Sequence, residues 1–271
     1  MNEHRERIER ATPIISVRSL TAGYGDETVI ENVSFDVFEG EVFAILGRSG
    51  SGKTTLFKAM TGLLAVRNGE VIIEDEVVAS ARKVFSEQAF KRIGVLFQSG
   101  ALFSSMTAAE NVAFPLRQRT TLSEPIIEQI VMLKLAEVGL AGKERLLPSE
   151  LSGGMQKRAA LARAMSLDPR ILFFDEPSSG LDPITSAELD RTICTINQTL
   201  GTTIVIVTHE LASIFAVADR VVLLDAGEKT IIAEGSPAEL RNRSEDERVR
   251  DFFNRVPSGD EGRAAGGRGT R

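Results

Sequence analysis

The sequence has few of the features that mark extracellular or membrane-spanning chains. Its 271 residues include a single cysteine, Cys194, which excludes an intrachain disulfide and favours a reducing compartment. No apolar run approaches the ~18–20 residues of a transmembrane helix. The charged start, Met1–Arg7, is not followed by the apolar segment of a secretory signal. We therefore expect a cytosolic chain that acts at a membrane only through a partner.

A basic excess is also lacking. The chain carries 32 lysines and arginines against 38 aspartates and glutamates, which gives a net charge of −6. This balance provides no overall positive field, so nucleic acid is not an expected partner. The apolar share of 42% is that of an ordinary globular protein, and the length predicts one large core, with or without a smaller lobe.

The order of the hydrophobic segments predicts an α/β fold. Early segments mix apolar and polar positions between glycine or charged turns, whereas later ones are the continuous apolar runs of strands buried on both faces. Helical stretches separate the later strands, which is the pattern of a parallel sheet. The predicted strands are residues 14–20, 28–36, 41–46, 92–97, 171–174, 203–207 and 220–224, with a strand pair at 70–78.

Two regions depart from this alternation. Helices are expected near 107–117, 125–138 and 153–166, so a helical part is inserted in the sheet domain. The end of the chain is rich in charge, but its few apolar residues suffice for a short amphipathic helix within 241–254, and the Gly/Arg/Ala sequence beyond Pro257 predicts disorder. The predicted parts are a flexible N terminus (1–12), a main domain (13–240) with the helical insertion at about 99–155, a C-terminal amphipathic extension (241–256) and a disordered tail (257–271).

Residues 47–54 form a complete phosphate-binding sequence. They follow the G-x-x-x-x-G-K-[ST] pattern and lie between a predicted buried strand and a predicted helix. Backbone N–H groups of such a loop surround a β-phosphate, and the start of the next helix adds partial positive charge. Lys53 is expected to bridge the β- and γ-phosphates, and the Thr54 hydroxyl to bind Mg²⁺. The expected nucleotide-binding residues are Gly47, Arg48, Ser49, Gly50, Ser51, Gly52, Lys53, Thr54 and Thr55.

Polar side chains follow three other predicted strands. Asp175 and Glu176 come after an apolar run, at the sheet edge where ligands of α/β proteins bind. Asp175 is expected to hold Mg²⁺ through water, and Glu176 to polarise the water that attacks the γ-phosphate. His209 is interpreted as a donor to the γ-phosphate, although a histidine after a strand is by itself more often a capping or packing residue. Gln98 can reach Mg²⁺ or the attacking water, although a glutamine at such a position is by itself more often a surface residue.

Ser152, Gly153 and Gly154 are expected to start a helix. Serine is a good N-cap, and the glycine N–H groups make the helix start a second anion site. Alone, this would be an ordinary helix start. Beside the phosphate loop, it suggests a dimer in which the second site of each chain closes on the nucleotide of the other.

Six motifs, in this order along the chain, make the sequence from about Ile15 to Gly235 resemble the ATP-binding cassette (ABC) family. They are the phosphate loop 47–54 (Walker A), Gln98 (the Q-loop), Leu151–Met155 (the signature), Ile171–Glu176 (Walker B), Ser179–Asp182 (the D-loop) and His209 (the H-loop).

This resemblance implies a P-loop NTPase fold with a parallel sheet core, an antiparallel β subdomain and an inserted α-helical subdomain. It also implies ATP hydrolysis coupled to transport, with ATP and Mg²⁺ as cofactors. Two chains would form a head-to-tail homodimer with ATP between the Walker loop of one and the signature of the other. Tyr24, the only tyrosine, falls where the family stacks an aromatic ring on adenine. Met155 stands where the family most often has glutamine, so no polar role is carried over to it.

A finer resemblance points to the ATPases of Mla lipid-transport systems. It implies an inner-membrane permease dimer, an MCE-domain lipid-binding protein and a STAS-domain accessory protein as partners. The ATPase would sit peripherally on the cytoplasmic face of the bacterial inner membrane and move phospholipid between the two membranes, which maintains outer-membrane lipid asymmetry. The strings that carry this likeness are Leu96–Phe103, Asn111–Arg117, Val131–Leu135, Leu147–Met155, Asp182–Thr185 and Glu247–Phe253.

Other functions stay open at this point. One is an importer ATPase for a small polar solute of the amino-acid type. Another is a soluble cassette ATPase acting on ribosomes or DNA, although the sequence has neither a second cassette nor a long coiled-coil insertion. A subunit that binds ATP without hydrolysing it is disfavoured because Lys53, Gln98, Glu176 and His209 are all present.

Large apolar residues gather just after Gln98. They either fill the core of the helical part or form a groove for a permease helix, and we expect at least Leu102 or Phe103 to contact a partner. The residues of this group are Leu102, Phe103, Met106, Phe114 and Leu116.

Overall fold

The computed structural model describes residues 12–81, 83–84 and 92–254. The predicted disordered tail and the predicted flexible N terminus, apart from residue 12, lie outside these residues. No helix in the described ranges has the length and apolar character needed to cross a bilayer.

The strands agree with the sequence-based expectation in their order, and several are longer than predicted. The first two extend by several residues at their ends, whereas the buried strands near the C terminus have the expected limits. The strands are β1 (Pro13–Tyr24), β2 (Glu27–Phe38), β3 (Val42–Gly47), β4 (Asn68–Ile73), β5 (Glu76–Ser80), β6 (Lys83–Val84), β7 (Ile93–Leu96), β8 (Ile171–Asp175), β9 (Thr203–Val207), β10 (Arg220–Leu224) and β11 (Ile231–Gly235).

The helices also follow the expected order. The longest, Pro183–Leu200, is capped by Asp182. Proline suits its first position, because a backbone N–H there would have no partner within the helix. The helices are α1 (Lys53–Met60), α2 (Ala108–Arg119), α3 (Glu124–Glu137), α4 (Gly153–Ala164), α5 (Pro183–Leu200), α6 (Leu211–Val217), α7 (Pro237–Arg243) and α8 (Glu247–Asn254), with a 3-10 turn at Pro148–Glu150.

A six-stranded sheet forms the core, in the order β11-β10-β3-β9-β8-β7. Its neighbours pair in parallel except β10 and β11, which pair antiparallel. All residues of β3 and β9 are buried, because helices or the second sheet cover both faces. Parallel strands end at the same edge, so the residues after β3, β7, β8 and β9 meet there.

The second sheet is antiparallel, in the order β2-β1-β4-β5-β6. Its apolar face packs with α1 against the core sheet, in a cluster that includes Leu20, Ile30, Phe57 and Phe173. The helix that follows the phosphate loop is thereby held between two sheets. The fold is the expected one, with a parallel core and an antiparallel β subdomain.

The inserted helical part comprises α2, α3 and the start of α4. Thr107 and Glu110 form a capping box that fixes the start of α2. Buried side chains of α2, α3 and α4 join those of α5, β8 and β9 in one cluster, so this part is packed onto the other face of the core sheet.

A short helix lies within residues 241–254, as the sequence predicts, but a second helix that was not predicted comes before it. The chain forms two helices in this region, because Ser236 starts α7 with its own capping box and Ser244 then adopts an extended conformation. Asp246 accepts a hydrogen bond from the N–H of Arg248 and so supports the first turn of α8. Val249 and Phe253 of α8 are buried against α6, α7 and the core sheet.

Candidate nucleotide-binding site

A cavity of about 980 Å³ opens at the carboxyl edge of the core sheet. It brings together residues predicted separately from the sequence, from β1, the phosphate loop and the ends of β7, β8 and β9. The lining residues are those of the loop 47–55 with Tyr24, Val29, Gln98, Glu176, His209, Glu210, Leu211, Asp251 and Phe252.

The phosphate loop has the backbone that anion binding needs. Gly52 adopts φ of +94° immediately before α1, and a Cβ at this position would lie 2.4 Å from Cγ2 of Ile30. Only glycine therefore suits both the conformation and the space. The first N–H groups of α1 have no partner within the helix and face the loop, which makes this helix start suited to phosphate.

Lys53 is held inside the loop. Its Nζ donates hydrogen bonds to the carbonyl oxygens of Gly47, at 2.8 Å, and Arg48, at 3.0 Å. Burial lowers the pKa of Lys53, while the carboxylates of Glu176 and Asp175 act in the opposite direction. The ammonium is positioned to exchange these carbonyl oxygens for phosphate oxygens.

The oxygen atoms near the loop are suited to a divalent cation. Oδ1 of Asp175 is buried without a hydrogen-bond partner in the described part of the chain, as is Oγ of Ser51. Burial, followed by the charge of Glu176, raises the pKa of Asp175, and Lys58, Lys53 and Lys157 oppose this rise. Mg²⁺ takes oxygen ligands and is usually held by one or two carboxylates with phosphate and water. This donor set fits that description, and the described residues contain no group of three or more His, Cys, Asp or Glu side chains arranged to hold a metal ion by themselves.

Glu176 is fixed by its backbone and by both carboxylate oxygens. Its φ is +47°, an uncommon value for a residue other than glycine and a conformation found at functional sites. Its N–H donates to Val207 O at 2.8 Å. The Thr208 hydroxyl donates to Oε2 at 3.1 Å, and Nδ1 of His209 lies 2.7 Å from Oε1. The carboxylate is therefore held at the cavity beside a half-exposed imidazole.

Gln98 and Asp182 are both engaged within the chain. Nε2 of Gln98 donates to Oγ of Ser179 at 3.2 Å. Asp182 caps α5, where its Oδ1 accepts from the N–H groups of Ile184 and Thr185, each at 3.1 Å. Hydrogen bonds from Thr185, through its hydroxyl and its N–H, lower the pKa of Asp182. Gln98 lines the cavity, whereas Asp182 does not.

The residues of the signature segment lie outside the cavity. Oγ of Ser152 accepts from the N–H of Met155 at 3.3 Å and caps α4, as the sequence predicts. A Cβ on Gly154 would lie 2.2 Å from Cγ2 of Thr185, so this glycine allows α4 to approach α5 closely. Met155 packs on the cluster of the helical part. A single chain does not bring this segment to its own phosphate loop.

Five residues that line the cavity were not predicted as site residues from the sequence, namely Val29, Glu210, Leu211, Asp251 and Phe252. Asp251 and Phe252 of α8 line the rim beside the phosphate loop. The amphipathic pattern predicted a helix near them, but the position of that helix depends on packing of Phe253 against Phe215, whose ring centroids are 6.1 Å apart. Local sequence carries no signal for such a contact.

The chain is similar in sequence and in fold to several known proteins. A family model described as "ABC transporter" matches residues 30–179. The chain is 41% identical over 246 residues to the intermembrane phospholipid transport system ATP-binding protein MlaF of Escherichia coli K12, which covers 91% of this chain and 90% of that protein. It is 43% identical over 242 residues to the probable ribonucleotide transport ATP-binding protein mkl of Mycobacterium leprae, with coverage of 89% and 68%. Among solved structures, a dimeric post-hydrolysis state of the ATP-binding cassette MJ0796 with ADP and Pi superposes with a TM-score of 0.71 and 28% identity, and covers 82% of this chain and 98% of that one.

Proposed function

The chain belongs to the ABC transporter family and is an ABC-type ATPase, and from this premise we propose that it powers phospholipid movement between the inner and outer bacterial membranes. The observation that carries the proposal is the 41% identity to MlaF over 91% of this chain and 90% of that protein. A likeness that covers both proteins almost fully supports a shared role in a similar complex.

ATP is bound through its phosphates and its base. The N–H groups of the loop 47–55 surround the phosphates, and Lys53 leaves its carbonyl partners to bridge the β- and γ-phosphates. Tyr24 lies at the end of β1 with 47% of its surface exposed, and the ring is free to stack on adenine. The Lys58 ammonium, 5.7 Å from the ring centroid, holds the ring at the cavity.

Hydrolysis needs an activated water and neutralised phosphate charge. Glu176 accepts the proton of the attacking water, and His209 moves from Glu176 Oε1 to the γ-phosphate as a hydrogen-bond donor. Thr54, Asp175 and Gln98 would hold Mg²⁺, Asp175 through a water molecule. When bound, Mg²⁺ neutralises the charge that develops on the phosphate oxygens.

The active form is a homodimer. Ser152, Gly153 and Gly154 do not line the cavity of their own chain. The backbone N–H groups of this helix start are therefore available to the nucleotide of a second chain. Met155 contributes packing there, and Asp182 shapes the adjoining loop. MJ0796, a structural relative, is dimeric in its post-hydrolysis state. This supports a closed dimer with two nucleotides between the chains.

The dimer acts on a membrane complex. We assign it a peripheral position at the cytoplasmic face of the inner membrane, with a permease dimer, an MCE-domain lipid-binding protein and a STAS-domain accessory protein as partners. Phe103, 42% exposed, packs against Phe114 with ring centroids 4.8 Å apart and ring planes tilted by 53°, and is a candidate contact for the permease. Leu116 does not belong to that surface, because it is buried in the helical part.

Nucleotide transport is a second candidate, favoured by the 43% identity to mkl. The phospholipid proposal is preferred because the chain spans 90% of MlaF but only 68% of mkl.

The proposal is tested by purifying tagged Glu176→Gln chain with ATP from gently solubilised native membranes. We expect a permease together with an MCE-domain protein and a STAS-domain protein, identified by mass spectrometry. Recovery of a permease with a receptor for a soluble solute would indicate an importer instead of a lipid transporter. Recovery of a complex without any membrane protein would indicate a soluble cassette ATPase.

A further inference from the structure

One face of α4, the helix that begins at the signature segment, holds the loop that carries Gln98. Nζ of Lys157 donates to the carbonyl oxygen of Gln98. Two turns further on, the guanidinium of Arg163 donates to Gly100 O at 2.9 Å and to Ala101 O at 2.7 Å. Two cationic side chains of one helix thus bind the loop through three backbone carbonyl groups, those of Gln98, Gly100 and Ala101.

The loop is also in van der Waals contact with this helix. Between the two cations, Ala160 occupies the same face, since residues three apart are neighbours on a helix. A Cβ on Gly100 would lie 3.4 Å from Cβ of Ala160, so the loop runs directly over the helix. Gly100 and Ala101 both have positive φ, +73° and +48°, and their carbonyl groups accept hydrogen bonds from Arg163 of α4. The loop therefore follows α4 if that helix moves.

Lys157 makes this contact with an ammonium group that is buried. The residue is 8% exposed. Burial lowers the pKa of its ammonium, and the charges of Asp175 and Glu176 oppose that effect. A buried ammonium costs more to place than an apolar side chain of the same length unless charged partners repay it. The charges of Asp175 and Glu176, the two carboxylates of the hydrolysis site, offset part of that cost.

Gln98 is consequently held at two points. Its main chain is bound by Lys157, and its side chain is bound by Ser179 in the segment that leads from Glu176 to α5. Lys157 itself is absent from the residues that line the cavity. A substitution of Lys157 should therefore shift the position of Gln98 in the cavity without removing a contact to ATP.

We propose that Lys157 is a positioning residue for ATP hydrolysis, which fixes Gln98 in its own nucleotide site and couples it to the helix start that faces the nucleotide of the partner chain. The proposal rests on the roles assigned above to Gln98 and to Ser152–Gly154. It deepens that proposed function, because it names a physical connection between the two nucleotide sites of a dimer.

The test uses full-length chain in the complex that it forms and compares Lys157→Met with Lys157→Arg. Methionine keeps the length and apolar body of lysine but has neither charge nor donor, whereas arginine keeps both. We expect Lys157→Met to lower kcat by about 10–100-fold, the usual effect of losing a residue that orients a catalytic group. The KM and the Kd for ATP should stay within about twofold of the wild type, since the lost interaction is not made to ATP itself.

Two controls separate positioning from general damage. Lys157→Arg should recover most of the lost kcat, and Lys143→Met, the same substitution at an exposed lysine of the helical part, should leave kcat unchanged. If Lys157→Met shows no cooperative thermal transition, Lys157→Leu, which also lacks the charge and the donor, takes its place with the same comparison.

Wild-type kcat in the uncharged variant, or a raised KM at unchanged kcat, would overturn the inference. The outcome is independent of the cargo, because only ATP turnover is measured. Wild-type complex without any ATPase activity would instead contradict the proposed function itself.

Discussion

Nδ1 of His209 lies 2.7 Å from Oε1 of Glu176, so the two residues assigned to hydrolysis are in direct contact. The pair spans the ends of β8 and β9, which are adjacent in the core sheet. With Thr208 on Oε2 at 3.1 Å, both oxygens of the carboxylate are occupied by neighbours. We expect ATP binding to draw His209 from Glu176 towards the γ-phosphate, which would leave Oε1 open to the attacking water.

Glu176→Gln should bind ATP and hydrolyse it slowly. The amide preserves the size of the side chain but cannot accept the proton, and loss of a general base costs about 10²–10⁴-fold in rate. Steady-state ATPase assays measure the loss, and light scattering with ATP should show a stable dimer. Turnover at the wild-type rate would remove Glu176 from the role of base.

Lys53→Ala should abolish ATP turnover. Its ammonium is the main charge partner of the β- and γ-phosphates, and such charge-assisted contacts are about twice as strong as neutral ones. Equilibrium binding of a fluorescent ATP analogue and ATPase assays check the effect. Lys143→Ala, at an exposed site, is the matched control and should behave as wild type. Normal nucleotide affinity and turnover in Lys53→Ala would contradict the assignment of Lys53 to phosphate binding.

Tyr24→Ala should weaken binding of ATP and ADP alike. Stacking of a base on an aromatic ring contributes about 1–3 kcal/mol, and this contact involves the base rather than the phosphates. Calorimetric titration should show the loss for both nucleotides, while Tyr24→Phe should retain the affinity because the ring is kept. Equal affinities of Tyr24→Ala and wild type would place the adenine elsewhere.

Gly154→Ala should destabilise the contact between α4 and α5. The new methyl group would lie 2.2 Å from Cγ2 of Thr185, and such overpacking costs about 1–3 kcal/mol. The same change at Gly153, where the nearest atom would be Cδ2 of Leu181 at 3.7 Å, is the control and should leave stability nearly unchanged.

A second substitution tests the stated cause. Thr185→Ser removes the clashing methyl group but retains the hydroxyl, which donates to Oδ2 of Asp182 at 2.6 Å. Chemical denaturation of Gly154→Ala/Thr185→Ser should therefore recover most of the stability lost in Gly154→Ala. A double variant as unstable as the single one would locate the damage in another contact.

The sequence was sufficient for the buried strands and the phosphate loop. Residues 203–207 and 220–224 have the predicted limits because continuous apolar runs of strand length suit only positions buried on both faces. β11, by contrast, was not predicted, since Ile231–Gly235 is a half-buried edge strand without such a run.

Long-range packing accounts for the features of the site that sequence alone could not provide. Gln98 and His209 line one cavity because β7 and β9 end at the same edge of the core sheet, whereas Tyr24 reaches that cavity from the end of β1 in the antiparallel sheet. Asp251 and Phe252 reach the same cavity only because the apolar face of α8 packs beside α6. The contact of Lys157 with Gln98 likewise arises from the path of the loop over α4.

The most direct test of the account is ATP-dependent transfer of a labelled phospholipid by the purified complex between two membranes. The complex with wild-type chain should transfer the lipid with ATP and stop with ADP, and the complex with Glu176→Gln should not exceed the ATP-free rate. Lipid transfer by wild type that is indifferent to ATP, or ATPase activity that moves no phospholipid, would contradict the account.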